Sequence, residues 1–306
     1  MSTSGHTVTV ISPNPQQSIE ALLDAVLARH GTRVVNRRDL PVPRALAERR
    51  LVYTLALAPV QDPDKLKADL ADLADQQQVD LVLQDLENRL ADYRLAVFDM
   101  DSTLIRCEVI DELAAHAGVG TAVAEITERA MRGELDFDTS FTERLGMLSG
   151  LSASVLDSVA NSLPITEGLP ELMITLRARG IRTAILSGGF DYFARGLQAR
   201  FGFDEVHANI LAIENGCATG QVVPPIVNGL RKRDLLMSIA EKQGLTTHQV
   251  IAVGDGANDL PMLGCAGLGV AFHAKPVVRQ QASHNLRYAG LDGVLYLLGS
   301  ASELND

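Results

Sequence analysis

The 306-residue chain has no tryptophan, only three cysteines and fewer basic than acidic residues. Cys107, Cys217 and Cys265 are odd in number, far apart and form no CxxC pair. That argues against a disulfide framework and for a reducing compartment. The seven histidines never fall at HxxxH or HExxH spacing, so the sequence carries no zinc helix. No stretch approaches the roughly 18 apolar residues that cross a bilayer. Residues 1–10 have neither a basic n-region nor an apolar h-region, and a cytoplasmic location is the expectation. With 27 basic against 38 acidic residues, net charge −11, the chain lacks the Lys/Arg surplus of a nucleic-acid binder or a polybasic membrane-surface protein. It has no GxxxxGK[ST], and Gly264, Gly267 and Gly269 form GxxGxG rather than the dinucleotide fingerprint, so neither ATP nor NAD is indicated.

What is present is an ordinary globular balance, 46% hydrophobic and 21% charged, with a length that suggests two domains. Strands are expected at His6–Ile11, Thr32–Leu40, Arg50–Ala58 and Val79–Gln84. Amphipathic helices are expected at Gln16–Arg29 and Asp62–Gln77. The order β-α-β-β-α-β is that of a ferredoxin-like sandwich over residues 1–88. From Leu95 the pattern changes. Leu95–Phe98, Ile181–Leu186 and Val250–Val253 are short apolar runs of the kind found in buried parallel strands, with helices at Pro170–Arg179, Phe190–Phe201 and Lys232–Gln243 between them. That alternation predicts an α/β fold over 89–306, a Rossmann-like doubly wound parallel sheet. Residues 108–164 read as helical throughout, an inserted α-helical cap (about 107–165) over the C-terminal ends of the strands, where open α/β sheets bind ligands.

Four segments carry chemistry. Asp99-Met100-Asp101-Ser102-Thr103 follows the first parallel strand and places two carboxylates at i and i+2, suited to one nucleophile and one proton shuttle. Taken alone it is equally a turn with a Ser/Thr helix cap. Gly254-Asp255-Gly256-Ala257-Asn258-Asp259 puts a second acidic loop at the end of another strand, and together the two loops make an oxygen-lined pocket for a hard cation such as Mg²⁺. Ser187-Gly188-Gly189 offers a hydroxyl and open backbone N–H groups at a helix start, an anion site. Lys232, between Arg231 and Arg233, is a solvated lysine unless the context says otherwise.

In this order along the chain, DxDST, SGG, Lys and GDGxND resemble the haloacid dehalogenase superfamily of phosphohydrolases. The longer strings VFDMDSTL, SGGF, GDGANDLPM and AFHAKP resemble its phosphoserine phosphatase branch over roughly Leu95–Leu298, and the N-terminal unit resembles an ACT domain. The resemblance implies hydrolysis of O-phospho-L-serine through an aspartyl-phosphate, as the last step in making L-serine. It implies Asp99 as nucleophile, and Asp101 as proton donor and then general base. Mg²⁺ would sit on Asp99, the Asp101 backbone carbonyl and Asp255. Ser187, Gly188 and Lys232 would hold the phosphoryl group, Asn258 its surroundings, and Asp259 would orient Lys232 or support the metal. Glu108 and Arg144 stand where the family reads the substrate's ammonium and carboxylate, and Met131 and Phe137 where it covers the substrate. The ACT likeness implies L-serine as a feedback ligand, and free edge strands a homodimer. Asn228 departs from the pattern, which more often has Asp there. Cys107 reads as a small buried hydrophobe. Two rival readings stand: a related phosphomonoesterase or a phosphotransferase acting on an acceptor such as homoserine, and an amino-acid-sensing protein with a vestigial site.

Overall fold

The computed structural model describes residues 5–299; residues 1–4 and 300–306, at the ends of the two expected units, lie outside the described residues. Strand β1 (His6–Ser12) leads to helix α1 (Glu20–Arg29), strands β2 (Val34–Asp39) and β3 (Leu51–Leu57), helix α2 (Pro63–Gln77) and strand β4 (Asp80–Asp85). The strands form one antiparallel sheet in the order β2-β3-β1-β4, the ferredoxin-like arrangement. Helix α2 starts one residue after the expected Asp62, which caps it: the Asp62 side chain accepts from the Lys65 N–H, and Pro63 occupies the first turn. Helix α1 starts four residues later than expected. The Ser12 hydroxyl donates to the Asn14 carbonyl and the Gln16 N–H to the Asn14 side chain, which holds this Pro-containing stretch as a turn.

Alternation along β1 serves two interiors. Val8 and Val10 pack with Tyr53, Leu55 and the two helices, whereas Ile11, Val52 and Val82 join the core of the larger unit. Buried polar groups fasten this second face. Asp80 accepts from the backbone N–H groups of Arg287, Tyr288 and Ala289. Arg50 pairs with Asp292 and Glu167, and Arg89, in the short helix α3 (Leu86–Arg89), donates to Thr9 Oγ1 and the Tyr296 carbonyl.

After β5 (Leu95–Phe98) come four cap helices, α4 (Val109–Ala117), α5 (Gly120–Met131), α6 (Phe137–Met147) and α7 (Ser154–Ser162), in place of continuous helix. Helix α8 (Leu169–Ala178), β6 (Arg182–Phe190), α9 (Asp191–Phe201), β7 (Glu205–Glu214), β8 (Cys217–Val223) and α10 (Gly229–Lys242) follow. The chain then forms β9 (Val250–Gly254), α11 (Leu260–Cys265), β10 (Leu268–Phe272), α12 (Pro276–Gln281), β11 (His284–Leu286) and α13 (Gly293–Tyr296). The seven strands run β11-β10-β9-β5-β6-β7-β8, parallel except for the β7–β8 hairpin. This is the doubly wound sheet, with more strands than the three apolar runs suggest. β5 is central, and Phe98 is level with Ile185 of β6 and Val253 of β9. The loops that leave these three strands therefore converge at one edge, which is the geometric origin of the site.

His284, in β11 beside the N-terminal unit, is buried, and its Nδ1–H donates to the Gly269 carbonyl at 3.3 Å. Burial, and then the charge of Lys67, hold its pKa down to about 4 from 6.5. The unfolded chain binds the extra proton across that window, so stability present above pH 6.5 is lost as pH falls toward 4. Asn can keep the donor without the titration. The stability gap between wild type and His284→Asn should narrow by about 2 kcal/mol from pH 7 to pH 4.5 in denaturant melts. A pH-independent gap would contradict this.

Candidate active site

The loop after β5 is held by its own backbone. Asp99 N–H donates to the Val253 carbonyl, and the N–H groups of Thr103, Leu104 and Ile105 all turn back to the Met100 carbonyl. Ser102 takes a left-handed conformation (φ 55°), uncommon outside glycine. This tight turn sends Asp99 and Asp101 to different partners. Asp101 Oδ1 accepts from the Val109 N–H at the start of α4, 2.9 Å away. Asp99 Oδ1 accepts from Lys232 Nζ at 2.7 Å.

Lys232 lies one turn into α10 and is completely buried. Its second partner is Asp259 Oδ1, also at 2.7 Å. The other oxygen of Asp259 accepts from the N–H groups of Asp255 and Gly256, at 3.1 and 2.9 Å. Asp259 thus fixes both the ammonium and the loop that carries Asp255. Gly254 is required here, because a Cβ would fall 2.5 Å from the Asp259 carboxyl carbon. Thr103 Oγ1 donates to Asp255 Oδ1 at 3.2 Å, tying the two acidic loops together.

Carboxylate oxygens of Asp99, Asp255 and Asp259 lie within 4.8 Å of one another. Burial raises the pKa of Asp99 and of Asp255, and each is pushed further by neighbouring carboxylates, chiefly Asp259 for Asp99 and Asp99 for Asp255. Asp101 is raised well above the usual range by burial and then by Glu108 and Asp99. Burial pulls the Lys232 ammonium down, but Asp259 and Asp99 together outweigh it and raise its pKa. One ammonium does not balance this much buried negative charge. An oxygen-only donor set short of positive charge suits a hard divalent cation such as Mg²⁺, and Asp99 and Asp255 fit as its carboxylate ligands.

Above these groups lies a cavity of about 950 Å³ between sheet and cap. Asp99, Asp101, Asp255, Asn258 and Gly188 face it from the core, and Glu108, Met131, Phe137 and Arg144 from the cap. Glu108 accepts from the Ser102 hydroxyl at 2.7 Å, and Arg144 Nε donates to the Ser140 carbonyl at 3.3 Å. Burial pulls the Arg144 guanidinium pKa down against the pull of Glu108, Asp111 and Asp101. Among the described residues Arg144 forms no ion pair, so its charge is open to a ligand.

A family profile for the haloacid dehalogenase-like hydrolases matches residues 93–267, more than half of the chain. The chain belongs to this family.

A phosphoserine phosphatase of Vibrio cholerae is 48% identical over 207 residues, 68% of this chain and 63% of that protein. The chain thus spans under two thirds of that relative's length. A phosphoserine phosphatase of Archaeoglobus fulgidus is 40% identical over 243 residues, 79% of this chain and 71% of that protein. In structure, a HAD family hydrolase from Salmonella enterica serovar Typhi superposes with a TM-score of 0.85 at 33% identity, covering 97% of this chain and 99% of the other.

Within this haloacid dehalogenase-like fold, the sequence-predicted residues gather around one cavity, with two differences of placement, at Ser187-Gly188-Gly189 and at Met131. Ser187-Gly188-Gly189 is no turn into a helix. β6 continues through it to Phe190, with a register shift between Leu186 and Phe190, and α9 begins at Asp191. Ser187 is fully buried beneath the cavity, its hydroxyl accepting from the Gly189 N–H at 2.9 Å. The acidic side chains that cluster are Asp99, Asp255 and Asp259, whereas the Asp101 side chain is engaged by Val109. Met131 is 65% exposed at the rim, beside Lys275. Cys107 is half-buried, and burial and then Asp101 push its thiol up to about 12, so it stays protonated.

Asn209 supports the site and went unread in the sequence. Asn209 on β7 donates to the Gly188 carbonyl at 2.8 Å and accepts from the Val227 N–H at 2.7 Å, fixing the end of β6. Its one signal was a buried Asn in a strand, a poor strand former.

Proposed function

We propose that this hydrolase cleaves O-phospho-L-serine to L-serine and phosphate. The observation that carries the reading is the shape of one cavity: a buried Asp99–Lys232 pair at its floor, with Glu108 and an unpaired Arg144 on the facing cap. A bidentate guanidinium suits a carboxylate and Glu108 an ammonium, so the two together select an amino acid joined to the phosphate. The two phosphoserine phosphatases it resembles support the same substrate.

Asp99 Oδ attacks phosphorus, forming an aspartyl-phosphate as the bond to the seryl oxygen breaks. Asp101, whose carboxyl is raised by burial and then by Glu108 and Asp99, gives its proton to that departing oxygen. The resulting carboxylate then takes a proton from the water that attacks the acyl-phosphate, which restores both aspartates. Lys232, anchored by Asp259, holds Asp99 in place and sets positive charge against the phosphoryl oxygens, with the Gly188 backbone beside them. Asp99, Asp255 and the Asp101 carbonyl would hold Mg²⁺, which would supply charge neutralisation between the anionic nucleophile and the anionic phosphate.

The test is phosphate release from O-phospho-L-serine, phosphoethanolamine and a generic aryl phosphate, with Mg²⁺ and with a chelator. Loss of the carboxylate contact in phosphoethanolamine should lower kcat/KM by about 100-fold, the scale of one charge-assisted bond of roughly 3 kcal/mol. Chelator should abolish release from all three. Comparable efficiency on the three esters would overturn the substrate assignment.

A further inference from the structure

Asn228 sits on the core immediately before α10 and uses both ends of its amide. Its Oδ1 accepts from the Arg231 N–H at 3.0 Å, capping the helix whose first turn carries Lys232. Its Nδ2 donates to both carboxylate oxygens of Asp138, at 3.0 and 3.2 Å. Asp138 is in the first turn of cap helix α6, next to Phe137 and two turns before Arg144. Both residues face the cavity. Phe137 lies so close over Gly188 that a Cβ there would come within 2.8 Å of its ring. The amide therefore joins the helix that holds the phosphate side of the site to the helix that holds the substrate-facing side.

The chemistry at position 228 is specific. An aspartate would still cap α10, because that bond needs only an acceptor. It has no proton to offer Asp138, and two carboxylates would meet at hydrogen-bond distance, where like charges repel. We propose that Asn228 and Asp138 are a positioning pair that holds the cap closed, keeping Phe137 over Gly188 and Arg144 above the phosphate. The proposal rests on the reading of this cavity as a phosphoserine site.

The test compares wild type, Asn228→Asp, Asp138→Asn and the double variant, by steady-state kinetics on O-phospho-L-serine and by deuterium uptake in residues 137–147. Asn228→Asp should raise KM about tenfold, within the range of direct pairwise couplings, and speed uptake in α6. The double variant re-forms the bond with donor and acceptor exchanged. It should return both readouts to within about threefold of wild type, a rescue that a merely structural residue would not give. Asp138→Asn alone leaves the Asn228 amide one acceptor oxygen in place of two, and its effect on both readouts should fall between wild type and Asn228→Asp. Unchanged uptake in Asn228→Asp, or no rescue by the double variant, overturns the pair. Absence of wild-type turnover on phosphoserine, with the uptake pattern as expected, overturns the substrate assignment alone.

Discussion

Asp99→Asn is expected to lower phosphate release by a factor on the order of 10⁴ or more while leaving the protein folded, as loss of a nucleophile does in other covalent mechanisms. The amide oxygen can still accept from Lys232 Nζ, which lies 2.7 Å from Asp99 Oδ1, so the buried ammonium keeps both partners. It cannot form an acyl-phosphate that water then clears. Asp99 already carries a raised pKa from burial and from Asp259, so removing its charge relieves repulsion, and thermal stability without added metal should hold or rise. Activity within tenfold of wild type would remove Asp99 from the role of nucleophile.

Lys232→Met has the second large effect, and it falls on stability as well as rate. The ammonium is fully buried and bonded to Asp99 and Asp259. Methionine fills much of the same volume but leaves two buried carboxylates unpaired, a loss of about 3–5 kcal/mol at pH 7. The deficit should shrink at pH 5, where Asp99, its carboxyl raised by burial, takes up a proton. Rate should fall by a further 10²–10³-fold, roughly the effect of removing one charge-stabilising donor. Chemical denaturation at the two pH values, beside kcat on the folded fraction, checks both parts. A variant as stable as wild type at pH 7 would show that the buried charge is balanced by some other group.

The residues behind these effects were unequally legible in the sequence. The ends of β5 and β9 could be read, because a fully apolar four- or five-residue run followed by Asp-x-Asp or Gly-Asp-Gly marks a buried parallel strand that opens onto an acidic loop. The ferredoxin-like order was legible because β1 and β3 alternate between two interiors and α2 spaces Leu66, Leu70 and Leu73 along its buried face. The path of Ser187-Gly188-Gly189 was not. Its glycines suggest a turn, but Asn209, far along the chain, grips the Gly188 carbonyl and keeps the strand going. The burial of Lys232 was equally hidden, since a lysine flanked by two arginines looks solvated until Asp99 and Asp259 are brought to it by the sheet. The Asn228–Asp138 bond joins an inserted helix to a core helix 90 residues away, and no local pattern records such a contact.

Covalent catalysis by Asp99 is tested most directly by quenching wild-type protein during turnover of O-phospho-L-serine with Mg²⁺ and mapping the phosphoryl group by peptide mass. A hydroxylamine-sensitive phosphoryl group is expected on Asp99, absent from Asp99→Asn. Phosphate release with no label on Asp99, or with the label on another residue, would contradict that role.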